Sequence, residues 1–429
     1  MVSNAHSWTT LAFGLASLLV ALARPNLGIA LLWVTLFFNV FPTVSVGSLE
    51  FSGSTLLVIG LFLRAIAPGR LKARYPLASW QSVLLVALGL VFFLSTLTSD
   101  YFTMSLRFVP NLVIYWMLLF ALMKLVRSSE QLWRIASLIM VLGFVLSLWR
   151  VELRPIRVMF GLPSLGINGA VFEFHLAVAI ALVTGIMLTK EMVSGKWRLF
   201  SWLALLSLFY HGLLYQTRAG WLAWVGMIFA IGLQARSRSR IALIAGAASL
   251  VALGLVVFAD TIDANLAQSR ITAEAFLGEQ SYSTVASDDL IRLVARDAGW
   301  HMFLQRPILG WGSNSYSRLK PAFVNYKGRE ANDPGAFNAW LIALVEWGIM
   351  GTAVVALIFL LPIWLSMRSL KKVQDKTTLL AFAFSLGTLG IAIHLFFIDL
   401  LYSFAFATAG LALAAARIAL DSTRESPPS

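Results

Sequence analysis

The stretch GAFNAWLIALVEWGIMG, residues 335–351, is typical of the start of a membrane helix. It contains the polar Asn338 and then runs through apolar residues, among which Glu346 is the one ionisable side chain. Similar apolar runs recur along the 429-residue chain, which is 59% hydrophobic and 12% charged. This composition excludes an ordinary soluble domain, and a membrane β-barrel would alternate polar and apolar residues. We therefore predict an all-α fold, a polytopic bundle of transmembrane helices.

Long apolar runs set the number of spans. The first two runs are separated only by residues 24–26, so they form either two spans or one broken unit. We predict 12 spans, with 13 as the alternative count. The runs lie near residues 8–23, 27–42, 53–67, 81–98, 109–126, 133–149, 168–189, 197–214, 219–235, 240–259, 338–364, 377–396 and 399–419.

Basic residues mark alternate loops between these runs. Cytoplasmic loops of membrane proteins carry an excess of lysine and arginine, so one face of the bundle is predicted to be cytoplasmic. The formal net charge of +13 is explained by this topology and by anionic lipid, and we predict no nucleic-acid partner. The marking residues are Arg70, Lys72, Arg74, Lys124, Arg127, Arg134, Lys190, Lys196, Arg198, Arg236, Arg238, Arg240, Arg368, Lys371, Lys372 and Lys376.

One long hydrophilic segment, residues 260–336, falls on the opposite, outer face. A loop of this length in a compact membrane protein is usually functional. It should contain helices, because Ser287 and Asp288 form a plausible N-cap before an amphipathic run that Pro307 ends. We expect four parts: an N-terminal transmembrane region of about ten spans, this loop domain, C-terminal transmembrane helices and a cytoplasmic polar tail. Their bounds are 1–259, 260–336, 337–419 and 420–429.

The outer face is rich in arginine rather than lysine. Positive charge there runs against the orientation rule, and the planar guanidinium binds phosphate through two hydrogen bonds. The pattern favours a site for a phosphate-bearing substrate, while pairing with acidic residues of the folded loop is the alternative. The set comprises Arg107, Arg150, Arg154, Arg157, Arg218, Arg270, Arg292, Arg296, Arg306, Arg318 and Arg329.

Two groups within this set have more specific evidence for a phosphate site. Arg292 and Arg296 are four residues apart, so one helix face presents both to a diphosphate. Asp288 is four residues before Arg292 and could pair with it instead. Arg218 lies in a short outer connection between two spans, where a charge is costly and indicates function unless the side chain simply reaches the interface.

Three stretches carry a resemblance: QTRAGWL (216–222), RLVARDAGWHMFLQRPILGWGSNSY (292–316) and the opening stretch. With the topology, they resemble the O-antigen ligase and polymerase superfamily of membrane glycosyltransferases. The first is similar to the family's arginine-bearing periplasmic loop. The second is similar to its pattern of an arginine, an amphipathic helix and Pro-x-x-Gly-x-Gly. In the third, Asn338, Gly348 and Gly351 keep the spacing of the ligase signature, and Phe337 stands at the position of its histidine.

The resemblance implies transfer of a glycan from undecaprenyl diphosphate to an acceptor sugar at the periplasmic face of a bacterial inner membrane. The implied partners are the lipid-linked glycan donor, a glycan or lipid-linked acceptor and membrane lipid, and no cofactor is implied. Arg218 and Arg292 correspond to diphosphate ligands of the family, and Arg296 joins them by its spacing. Two rival functions stay open: a transporter of an anionic or lipid-linked solute, and a non-catalytic relative acting as a scaffold.

Phe337 cannot act as the general base that the family assigns to its histidine. Four explanations remain: arginine electrostatics with a good leaving group, another base, an inactive relative, or a residue introduced at this position. Base catalysis contributes about 10²–10⁴-fold, so its loss weakens transfer rather than always abolishing it. The alternative bases nearest in sequence are Glu346, His301, Asp333 and Glu330.

Several further residues have both a functional and a packing interpretation. Glu346 either takes part in catalysis or pairs with a neighbouring span, and His175 and Glu173 either line a groove or hydrogen-bond between helices. We predict no metal, since two histidines without a third ligand make a weak site. Gly310 and Gly312 favour a tight turn over a phosphate cradle. The aromatic residues kept as glycan contacts are Trp300, Trp311 and Tyr316.

Overall fold

A computed structural model describes most of the chain, which is largely helical. The residues it describes are 4–38, 43–46, 49–67, 77–150, 159, 175, 177–182, 195–215, 218–234, 287–324, 338–372, 375–397 and 403–425. Two predicted spans, residues 168–189 and 240–259, lie largely or wholly outside this part of the chain. The predicted number of spans is therefore not fixed by it.

The first helices are short and form a compact group. Helix α1 (Asn4–Ala23) and helix α2 (Pro25–Phe38) are separate, as one alternative for the first two runs predicted. The break falls at Arg24 because Pro25 lacks an N–H and is favoured at the first position of a helix. Strands β1 (Thr43–Val46) and β2 (Leu49–Ser52) then pair antiparallel before helix α3 (Gly53–Ile66). This hairpin departs from the predicted all-α fold, and its β-branched residues suit a strand.

The remaining helices of the bundle overlap the predicted runs, with ends that differ by up to eight residues. In the bundle they are α4 (Ser79–Leu97), α5 (Phe102–Leu125), α6 (Ser129–Arg150), α7 (Gly195–Tyr215) and α8 (Arg218–Gln234). The outer segment contributes α9 (Ser287–Gln305) and α10 (Tyr316–Phe323), and the C-terminal region α11 (Ala339–Lys372), α12 (Lys376–His394) and α13 (Ser403–Glu425). Six of the described helices are long and apolar enough to cross a membrane: α4, α5, α6, α11, α12 and α13. The prediction of a helical membrane protein is confirmed.

Helices α12 and α13 form the centre of the bundle. Most of their side chains are buried, and α13 is rich in alanine, which lets neighbouring helices approach closely. The guanidinium of Arg417, also buried, donates to the carbonyl oxygens of Met123 and Val126 at 2.9 and 2.8 Å. It thereby satisfies carbonyls at the end of α5 that have no partner within the helix. This contact fixes α5 against the centre of the bundle.

Candidate functional site

Helix α11, which contains most of the opening stretch, is broken at Gly348. The helix begins where the side-chain oxygen of Asn338 accepts the N–H of Leu341 at 3.0 Å, so Asn338 is its N-cap. Gly348 has φ 63° and ψ −168°, a conformation essentially restricted to glycine. Helical geometry resumes after it and continues to Lys372. The predicted span 338–364 is therefore a kinked helix that also extends further than expected.

The segment from Pro307 to Gly312 donates hydrogen bonds to the carbonyl groups that this break releases. In a regular helix the carbonyls of Val345 and Glu346 would bond to N–H groups four residues later. Here they accept the N–H groups of Trp311 at 2.8 Å and Gly312 at 3.0 Å. The hydroxyl of Ser95 on α4 also donates to the Glu346 carbonyl at 2.7 Å. The outer segment and α4 thus stabilise the break together.

The N–H groups on the other side of the break are satisfied by the same segment. The N–H of Ile349 donates to the carbonyl of Pro307 at 2.8 Å, and that of Met350 to the carbonyl of Ile308 at 3.4 Å. Backbone polar groups within a membrane need such partners, because no water is available there. Residues 307–312 are therefore built into the bundle beside the broken helix.

Glycines make this close approach possible. Gly310 and Gly312 have φ values of 72° and 96°, which disfavour any residue with a side chain. A Cβ at Gly310 would collide with the backbone of Glu346, and one at Gly312 with the hydroxyl groups of Ser99 and Ser105. The interpretation of Gly310 and Gly312 as turn residues is confirmed.

The side chain of Glu346 binds the start of helix α10. It is only 6% exposed, and its carboxyl oxygen accepts the N–H of Tyr316 at 3.3 Å. Backbone groups of Asn314 and Ser315 hydrogen-bond to the same carboxyl. Three consecutive backbone groups at a helix N-terminus form a favourable site for an anion. The geometry assigns Glu346 to positioning α10 on the broken helix.

This assignment predicts different effects for two replacements of Glu346. In Glu346→Gln an amide oxygen still accepts these N–H groups, so we expect transfer activity within about fivefold of the wild type, since one neutral hydrogen bond is worth about 1 kcal/mol. Glu346→Leu leaves the N–H groups without an acceptor, at about 1–3 kcal/mol for each buried donor, and should lower the melting temperature in detergent. Abolished transfer in Glu346→Gln at an unchanged melting temperature would instead identify Glu346 as a catalytic residue.

The three predicted glycan contacts differ in accessibility. Tyr316 is fully buried, and its hydroxyl donates to the carbonyl of Ala295 in α9 at 2.8 Å. Trp311 is partly buried, and its indole N–H donates to the carbonyl of Met302 at 2.7 Å. Trp300 is 50% exposed on α9. Tyr316 therefore joins α10 to α9, and Trp311 joins residues 307–312 to α9. Trp300 is the most accessible of the three.

Arg306 fastens the outer segment to the turn between α4 and α5. Its guanidinium bonds to the carboxylate of Asp100 and lies 4.4 Å from the centre of the Trp311 ring. The hydroxyl of Ser99 in the same turn donates to the carbonyl of Trp311 at 2.7 Å. Sequence reasoning placed Arg306 among the outer arginines but missed this turn. Ser99 and Asp100, the polar residues that follow the apolar run of α4, could have indicated this contact.

Arg292 and Arg296 both lie on exposed positions of α9, one turn apart, as their spacing predicted. Helix α9 crosses the start of α11 at Gly299, where an added Cβ would lie 2.7 Å from Leu341 Cδ2. The N-cap Asn338 is three residues before Leu341. The fold thus brings the arginine-bearing helix against the N-terminal end of the broken helix.

The other predicted site residues have these positions. Arg218 is the first residue of α8, and its side chain lies outside the described part of the structure, as do Phe337, Glu330, Asp333 and Glu173. His301 lies 3.6 Å from Asp297 on the exposed side of α9. The His175 ring is buried, with Nε2 2.9 Å from the carbonyl oxygen of Leu36 in α2. This contact agrees with the second interpretation of His175, a hydrogen bond to a neighbouring helix, rather than with a groove-lining role.

The first part of the broken helix, with its break, the supporting segment and the arginine-bearing helix all lie within one match to a known family. Residues 199–356 match the family model described as O-antigen ligase. The match supports membership of the chain in the O-antigen ligase family and confirms the resemblance seen in the sequence. Comparison with curated proteins found no match.

The family match extends from α7 to the first part of α11. It includes Arg218, Arg292, Arg296, Asn338 and Glu346, and also the position of Phe337. Ser95, Ser99 and Asp100 of the α4–α5 region lie outside it, although they contact residues within it. Its apolar helices show a membrane protein, and the match supports the O-antigen ligase and polymerase type.

Proposed function

We propose that the protein transfers a glycan from undecaprenyl diphosphate to an acceptor sugar at the periplasmic face of the inner membrane. The observation that carries the proposal is the pair Arg292 and Arg296, exposed one turn apart on α9 inside the region matched to O-antigen ligases. Two guanidinium groups at this spacing suit a diphosphate, which carries its charge on two neighbouring phosphoryl groups. In this proposal residues 260–336 form the periplasmic domain, and Arg218 contributes a third cation.

The chemistry is a displacement at the anomeric carbon of the donor glycan. The acceptor hydroxyl oxygen forms the new bond to this carbon, while the bond from the carbon to the diphosphate oxygen breaks and its electron pair remains on the diphosphate. The arginines stabilise that developing negative charge, which is often the largest catalytic contribution. The hydroxyl proton passes to the released diphosphate or to water, since Phe337 accepts none. A direct displacement inverts the anomeric configuration.

A groove next to the Arg306–Asp100 contact supports entry of a lipid-linked donor from the bilayer. It lies between α4 and α5 and has a volume of ≈ 420 Å³. Almost all its lining is apolar, including Phe92, Phe93, Leu97 and Phe102. Leu97 and Phe102 flank the turn whose Asp100 binds Arg306. An isoprenoid chain in this groove would have its diphosphate end near the outer segment.

Transfer by the purified protein tests the proposal. In lipid vesicles containing an undecaprenyl-diphosphate glycan and a candidate acceptor, we expect an elongated acceptor and release of undecaprenyl diphosphate in equal amounts. A nucleotide-activated sugar offered instead of the lipid donor should give no product. Product formed from the nucleotide sugar alone, without the lipid donor, would contradict the proposal.

A further inference from the structure

The exposed side of helix α9 has two chemically different edges. One edge carries Arg292, Arg296, Trp300 and Leu304, all exposed. Residues four apart in a helix are displaced by only about 40° around its axis, so these side chains form one continuous row. The row changes along the helix from two cations to an aromatic ring and then to an aliphatic side chain. We call it the Arg–Trp edge.

The neighbouring edge is polar in the C-terminal half of α9, beyond the buried Leu293. Asp297, His301 and Gln305 each follow a residue of the Arg–Trp edge and are therefore rotated by about 100° from it. Asp297 and His301 lie 3.6 Å apart, and both side chains are more than 40% exposed. This polar edge has the character of a water-facing surface. Helix α9 is thus amphipathic within its exposed half, in addition to the side that packs on α11.

The apolar end of the Arg–Trp edge continues into the surface of a candidate membrane span. Leu304 is 56% exposed, and Ile308, just past the end of α9, is 61% exposed. The Pro307 and Ile308 backbone bonds to Ile349 and Met350 of α11, which are themselves exposed apolar residues. Helix α11 is long and apolar enough to cross a membrane, so its exposed apolar side chains are those that hydrocarbon covers.

We infer that α9 is an interfacial helix, whose Arg–Trp edge faces lipid from the headgroup region at Arg296 to the outer hydrocarbon at Leu304, and whose polar edge faces water. Leu304 and Ile308 then lie in the outer part of the hydrocarbon, and Trp300 lies at the interface, where tryptophan is enriched. Arg296 lies about 6 Å along the axis from Trp300, at the depth of lipid phosphates. The covering partner is the bilayer that contains α11, because the apolar surface is continuous with that helix.

The position of α9 at the membrane interface does not depend on the transfer reaction. It does determine where the arginines meet a lipid-linked donor. Arginines fixed at the depth of lipid phosphates meet the diphosphate of a membrane-bound donor without lifting its tail from the bilayer. Arginine side chains on the edge of an interfacial helix also attract anionic headgroups. The helix would therefore select for lipid-linked rather than soluble diphosphates.

Site-directed spin labelling measures the position directly. The native chain contains no cysteine, so single-cysteine variants take one nitroxide label each. Leu304→Cys and Gln305→Cys form a matched pair of adjacent exposed residues on the two edges. Trp300→Cys and His301→Cys repeat the comparison one turn earlier. Leu90→Cys on α4, 53% exposed in a candidate span, provides the lipid standard.

The full-length variants are reconstituted in vesicles of phosphatidylcholine and phosphatidylglycerol, and each label is tested for collision with oxygen and with a water-soluble nickel chelate. We expect the oxygen-to-nickel ratio at position 304 to be several times that at 305 and to approach that at 90. Position 300 should lie between 304 and 301. Equal ratios at 304 and 305 would overturn the inference. So would low accessibility of 304 to both reagents, which would indicate cover by protein. The measurement uses no donor, so it stands whether or not transfer occurs.

Discussion

Replacing Arg292 or Arg296 with alanine should lower the rate of glycan transfer by about 10²-fold or more in each case. The reason is that a preorganised donor to a developing oxyanion contributes about 10²–10³-fold, and the departing diphosphate carries such charge. Both positions are exposed on α9, so the replacements should leave the melting temperature close to that of the wild type. Product formation at saturating acceptor, measured in vesicles of fixed lipid composition, gives the rate.

Two matched variants separate this effect from a general loss of positive charge. Arg134→Ala removes an exposed arginine of α6 that pairs with Glu130 at 2.6 Å, and should leave transfer unchanged. Arg292→Lys keeps the charge but loses the planar fork, and should recover only part of the activity that Arg292→Ala loses. A transfer rate that is the same in the wild type, Arg292→Ala and Arg296→Ala would rule out this pair as the diphosphate site.

The second large effect is a gain. Phe337→His restores the histidine that the family signature has at this position, and general base catalysis typically contributes about 10²–10⁴-fold. We therefore expect faster transfer by Phe337→His than by the wild type, with Asn338 unchanged as the adjacent N-cap of α11. The gain should increase with pH through the ordinary range of a histidine pKa, about 6.5, because only the neutral imidazole accepts a proton.

The pH profile separates base catalysis from a packing effect. Phe337→Gln supplies a polar side chain without a titrating group, so it should show neither the gain nor the pH dependence. If Phe337→His folds normally but transfers no faster than the wild type, then the reaction does not use a base at this position. The account in which arginine electrostatics and the leaving group suffice would then apply to the native chain.

Much of the helical pattern could be predicted because its signals are local. Pro307 predicted where α9 ends, and the observed helix ends at Gln305. The same local signals placed Arg292 and Arg296 on one face. Helix α11 proved longer than its apolar run because a helix that leaves the membrane can continue into polar sequence, here to Lys372. Hydropathy detects the hydrocarbon segment rather than the end of the helix.

The features that were not predicted depend on contacts between distant parts of the chain. The apolar run around Gly348 predicts a continuous helix. No residue near Gly348 indicates that residues 307–312 will form the hydrogen bonds that the break leaves open. The role of Glu346 likewise depends on backbone groups 30 or more residues earlier. The β1–β2 hairpin was missed because its four-residue strands follow directly on an apolar run predicted to be helical.

Direct binding of the released lipid diphosphate tests the central claim, that the arginines of α9 hold a lipid diphosphate. Radiolabelled undecaprenyl diphosphate is titrated against the full-length wild type, Arg134→Ala and the double variant Arg292→Ala/Arg296→Ala in the same vesicles. Hydrogen bonds to charged groups contribute about 1.5–3 kcal/mol each, so the double variant should bind at least about tenfold more weakly, whereas Arg134→Ala should match the wild type. Equal affinities for all three proteins would contradict the account.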